Sequence, residues 1–143
     1  MLCRYGVDYL LKSLQKVQSR VARIVAGQNR SISSSEALLH CGWLSVRQLS
    51  AYHTLLQVRN VLKNKTPCHL FKMFDQNYTY VTRQASSGAI KCSRKVELDI
   101  VKSSFRGRAV ELYNNLPEDI RTLESSDAFK EKVKAWVRQT VSV

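Results

Sequence analysis

One stretch of the sequence restricts the fold more than any other. Leu10, Leu14, Val17, Val21 and Val25 recur at steps of 4, 3, 4 and 4, while Lys12, Lys16, Arg20 and Arg23 recur at 4, 4 and 3. At about 100° per residue these two sets fall on opposite faces of a helix, one apolar and one basic. Gly27 follows the last periodic residue and is a natural stop, so the pattern predicts a helix over residues 7–26. An amphipathic helix of this length is expected to bury its stripe against further helices.

Those further helices are marked by their starts and stops. Ser33 with Glu36, and again Ser45 with Gln48, has the capping-box spacing ahead of apolar residues. The first predicts a short helix ending near Gly42, and the second a helix from Val46 to Lys63, broken by Asn64-Lys65-Thr66-Pro67. A helical turn is expected over Cys68 to Phe74. The period is lost from Asp75 to Arg94, and 75–95 reads as a mobile loop around Ser86-Ser87-Gly88. Val96, Leu98 and Ile100 alternate with acids as in one short strand. Gly107 to Asn115 is expected to be helical, Pro117 to start a short helix, and Ser125 or Ser126 to cap a last helix carrying Phe129, Val133, Trp136 and Val137 on one face.

The expected fold class is therefore mainly α. Residues 1–143 read as a single small helical domain with an irregular middle segment and at most one short β element. Leu14, Val17, Val21, Trp43, Leu49, Leu56, Leu62, Phe129, Val133 and Trp136 are the expected core.

Charge points to the partner. The 143 residues carry a net +12, with 18 basic against 5 acidic residues through residue 110 and 5 against 6 after it. Such an excess suits an anionic partner, and the phosphate backbone of RNA or DNA is the expected one. Lys12, Lys16, Arg20 and Arg23 form one candidate contact row, since each neutralised phosphate releases counterions; the alternative is an ordinary solvated helix face. Arg83, Arg94, Lys95, Arg106 and Arg108 form a second candidate set, with Lys91 and Lys102 among them. Tyr78, Tyr80 and Phe105 lie between these charges, where an aromatic can stack on an unpaired base or serve the core.

Catalytic chemistry is not expected. There is no Gly-rich phosphate loop and no acidic pair in an apolar strand, as a two-metal polymerase would need. Glu118-Asp119 follow Pro117 and read as a solvated helix start. His40-Cys41, Cys68-His69 and His53 lack the paired ligand spacing of a zinc site, so no metal and no cofactor is expected. Nothing orients a base for Cys-His nucleophile chemistry. Cys3, Cys41, Cys68 and Cys92 are widely spaced and are expected to be free thiols in an intracellular protein, nuclear or cytoplasmic. No run approaches the length of a membrane span and no secretory signal is visible, so a membrane is not an expected partner; without a catalytic motif, neither is a small-molecule substrate.

A series of segments in order gives the chain a family likeness. They are Leu14–Ile24, Gly42–Gln48, Tyr52-His53, Asn64–Pro67, Thr82-Arg83, Ser104–Arg106, Asn114–Arg121 and Phe129-Lys130. Their order and spacing, along nearly the whole chain, resemble the region after the polymerase domain in jockey-like non-LTR (LINE-type) retrotransposon reverse transcriptases. The resemblance implies a parent RNA-directed DNA polymerase whose Tyr-x-Asp-Asp-type motif lies ahead of this region, so no catalytic residue carries over. It implies a non-catalytic C-terminal segment, beyond the thumb, that helps hold template RNA or target DNA and packs on the absent polymerase domain. Met1 is then expected to fall inside an ancestral reading frame. His40-Cys41 and Cys68-His69 depart from the apolar and aromatic residues of the family, so neither pair is an inherited ligand. The alternative is a free-standing, host-adopted module that binds nucleic acid or protein.

Overall fold

The computed structural model describes residues 2–27, 32–72, 74–75, 89–92 and 104–141, with backbone alone for 2–8, 75, 91, 92 and 106. The chain is mainly α-helical. Helices α1 (Leu2–Val25), α2 (Ser34–His40), α3 (Val46–Asn64) and α4 (Cys68–Phe71) come first. Strands β1 (Phe74–Asp75) and β2 (Lys91–Cys92) follow, then α5 (Phe105–Asn115), α6 (Glu118–Arg121) and α7 (Ser126–Thr140). The strands are antiparallel, Phe74 opposite Cys92 and Asp75 opposite Lys91. This ladder draws on both ends of the stretch 75–95; residues 76–88 and 93–95 of that stretch, and the strand expected over 96–100, lie outside the described residues.

Helix ends follow the local sequence. Ser33 Oγ accepts from the Glu36 N–H at 3.2 Å while Glu36 accepts from the Ser33 N–H at 2.9 Å, a complete capping box at the start of α2. Gly42 closes that helix at φ +68°, with its N–H donating to Leu39 O at 2.9 Å and the Trp43 N–H to Leu38 O at 2.8 Å. That bond pair needs a left-handed residue, which glycine adopts without a Cβ clash. Ser45 and Gln48 form a second, buried capping box for α3, at 3.3 and 3.0 Å. At α7 it is Ser125 whose hydroxyl accepts from a first-turn N–H, that of Ala128, at 3.4 Å.

The chain divides into two compact units. In the first, residues 1–51 and 137–143, α1 packs on α2 around buried Ala22, Ala37 and Leu38, with Ile32 and Cys41 beside them. The side of α1 turned to this core is small and amide-rich. Gln15 Oε1 accepts from the Val46 N–H at 2.8 Å, one of the first-turn donors of α3 that lack an intrahelical partner. Gln18 Nε2 donates to Leu44 O at 2.8 Å, and the Cys41 thiol donates to Ala22 O at 3.5 Å. Gln48, already part of a capping box, also donates to Val141 O at 3.0 Å.

The core differs from the expected one. Leu14, Val17 and Val21 are 57%, 60% and 43% exposed, and Trp43 is 38% exposed. The apolar stripe of α1 is real, but the neighbouring face is the one buried. Ala22 permits close approach, and Gln15 and Gln18 satisfy backbone groups that apolar side chains would leave unpaired. Phe129 and Val133 are buried as expected, whereas Leu49, Leu56, Leu62 and Trp136 are half-buried.

The second unit, residues 52–136, has its own core. Leu55, Val58 and Val61 of α3, Phe74, Ile90, Tyr113, Leu116, Phe129 and Val133 are all buried. Asn114 holds the β2 end of this unit to α5. Its amide accepts from the Ile90 N–H and donates to Ile90 O, both at 2.9 Å, as a neighbouring strand would. Arg59 fixes the segment before α7. Its Nη2 donates to the carbonyls of Leu123, Glu124 and Ser125 at 2.5, 2.9 and 3.3 Å, and its guanidinium carbon lies 4.1 Å from the centre of the Phe129 ring.

Candidate nucleic-acid interface

The candidate row on α1 is mostly presented to solvent. Lys12, Lys16 and Arg20 are exposed, and no carboxylate pairs with them among the described residues. Four residues of helix rise about 6 Å, so the three cations form a ladder about 12 Å long. Arg23 is different. It is half-buried, its Nη2 donates to Ser34 Oγ at 2.9 Å, and its Nε is buried without a partner. Arg23 therefore serves the α1–α2 contact, and its charge is only partly available to a ligand.

Tyr9 adds a residue that is absent from the row expected from sequence. It lies three positions before Lys12 and seven before Lys16, so it shares their face, and it is 71% exposed. A ring among phosphate-binding cations can stack on an unpaired base, since every base offers a π face. The 3- and 4-residue spacing from Tyr9 through Lys12 and Lys16 was the available signal.

The second candidate set is only partly placed. Arg108 is exposed on α5, one turn after the exposed Phe105. Arg106 is on the same helix, with its side chain not described. Arg83, Arg94 and Lys95 lie outside the described residues, as do Tyr78, Tyr80 and Lys102.

Other clusters are tied up in structure. An open cleft of about 550 Å³ between α3 and α7 is lined by His53, Arg59, Lys63, Phe129 and Lys130. Lys63 Nζ donates to Glu124 O at 3.3 Å, and Lys130 pairs with Asp127 at 2.9 Å. Arg59 is held as described above, while Lys63 and Lys130 each have a solvent-exposed partner. His40, Cys68 and His69 are exposed, and Cys41 and Cys68 are free thiols. Among the described residues no three His, Cys, Asp or Glu side chains come together to hold a metal ion. Nor, among them, is any helix long and apolar enough to cross a membrane.

No protein-family model matches the chain, and neither a curated protein nor a solved structure matches it.

Proposed function

We propose that this chain is a nucleic-acid-binding, non-catalytic segment from the C-terminal end of a non-LTR retrotransposon reverse transcriptase, with α1 as its contact helix. The observation that carries the binding half is the exposed ladder Lys12, Lys16 and Arg20 with Tyr9 on the same face. The parentage rests on the ordered segments from Leu14 to Lys130. Phosphate contacts carry no base information, so binding has little sequence preference. Single-stranded RNA or DNA is favoured over duplex to the extent that Tyr9 stacks.

Two experiments test the two halves. Fluorescence anisotropy with a labelled single-stranded RNA, across a salt series, tests binding. Replacing Lys12, Lys16 and Arg20 together by Glu weakens it and flattens its salt dependence with helicity unchanged; equal affinity at low salt refutes the assignment to α1. Sequencing the transcript upstream of Met1 tests parentage. An in-frame polymerase core makes the chain a segment of that enzyme, and a start at Met1 removes the retrotransposon-enzyme half of the reading.

A further inference from the structure

Helix α1 has three sides, and among the described residues one of them carries most of the packing. Gln15, Ser19 and Ala22 face the first unit, and Lys12, Lys16 and Arg20 make the basic side. The third side is apolar and exposed: Leu10, Leu14, Val17, Val21 and Ile24 are between 43% and 69% exposed. Their spacing is 4, 3, 4 and 3, with Ile24 rather than Val25 completing it. This is the repeat of a coiled-coil seam, in which each side chain inserts between four of a facing helix.

The flanks of the seam say what covers it. Leu11, Ser13, Gln18, Arg20 and Val25 border it, and Arg20 is the one charge among these five. In a paired coil these positions meet the flanks of the other helix, so a second copy approaches without repeated like-charge contacts. Lys12, Lys16 and Arg23 lie off the seam and stay outside such a pair. An acidic partner helix would call for basic flanks on both edges. A lipid surface would call for cations along both borders of the apolar face, yet one border here is Gln18, bound to Leu44 O.

We infer that two copies of this chain associate through α1, seam to seam. The seam side chains are 43–69% exposed, so their complete burial in two copies covers less than about 1,000 Å², the size of a weak, transient association. Each copy carries +12, so the copies repel at long range and salt screens that repulsion. Pairing therefore strengthens as salt rises, whereas phosphate binding weakens.

Sedimentation equilibrium of the full chain from about 5 to 200 µM tests this, at about 0.05 and 0.5 M salt. The expected mass rises from 16.4 kDa toward twice that value with concentration, and more readily at high salt. Leu14→Glu with Val21→Glu is expected to weaken pairing about a hundredfold or more with the circular dichroism unchanged. Val17→Gln, a milder change, weakens it in the same direction. Leu39→Glu, at an apolar residue of α2 that is 71% exposed and off the seam, leaves it unaltered. A chain that stays monomeric at the highest concentration and salt overturns the inference. So does a dimer that persists in the seam variants, or a monomer that binds anionic vesicles through Leu14 and Val21.

Discussion

Replacing Arg59 should destabilise the second unit by about 3 kcal/mol, and the sum can be worked from its contacts. The Leu123 carbonyl that it holds is partly shielded, so losing a charged donor there costs about 1.5–2 kcal/mol. The Glu124 and Ser125 carbonyls are exposed, and water replaces the guanidinium at a combined cost of about 0.5 kcal/mol. The contact over the Phe129 ring adds about 0.5–1 kcal/mol. Urea denaturation of Arg59→Ala against the parent chain measures the total, a midpoint shift of roughly 1.5–2 M. Arg59→Lys keeps a charged donor but has no guanidinium plane to lie over the Phe129 ring while one nitrogen reaches the carbonyls, and should recover only part of the loss. An alanine variant within about 0.5 kcal/mol of the parent would refute the reasoning. So would a lysine variant as stable as the arginine, because it would reduce the contact to charge alone.

Two further outcomes follow from the same geometry. Asn114→Ala removes both hydrogen bonds to Ile90 and should cost about 2 kcal/mol; amide exchange at Ile90 should accelerate by more than exchange in α1, and equal acceleration everywhere would contradict the local role. The Glu36 carboxyl is held below the usual carboxylate range, chiefly by its bond from the Ser33 N–H and then by the Ser33 side chain. Its folded form binds a proton more weakly than its unfolded form. The contribution is therefore complete above the unfolded pKa and is lost as pH falls through the folded one. Glu36→Gln should flatten the acid limb of a stability-against-pH curve and leave the neutral-to-alkaline part unchanged in slope; an unaltered acid limb would count against the capping box as its source.

The parts of the fold that were legible in sequence are those set by a few neighbouring residues. Both capping boxes, the stops at Gly27 and Gly42 and the start at Ser125 rest on contacts within five positions of chain. Choices that depend on distant partners were not legible. Periodicity showed that α1 has an apolar stripe, but the burial of its amide face is decided by Leu44 and Val46, which supply the groups that Gln18 and Gln15 satisfy. Arg59 read as one helical residue among many, since its acceptors lie 64–66 positions away. The ladder of Phe74–Asp75 with Lys91–Cys92 is two residues wide, too short for alternation to reveal. At the candidate site the row Lys12, Lys16 and Arg20 was visible from spacing, but the diversion of Arg23 to Ser34 needed the turn that brings α2 alongside.

The central claim is that α1 binds nucleic acid through these three cations, and the slope of affinity against salt tests it most directly. Each phosphate neutralised on duplex DNA contributes about 0.9 to the slope of log affinity on log salt, and on a single strand about 0.7. Three contacts on a duplex thus predict about a 40-fold loss of affinity between roughly 50 and 200 mM salt. In the Lys12→Glu, Lys16→Glu, Arg20→Glu variant the slope should fall by about 2 to 3, with Arg23 left in place so that its bond to Ser34 survives. An equal slope in parent and variant would contradict the claim and move the binding surface away from α1.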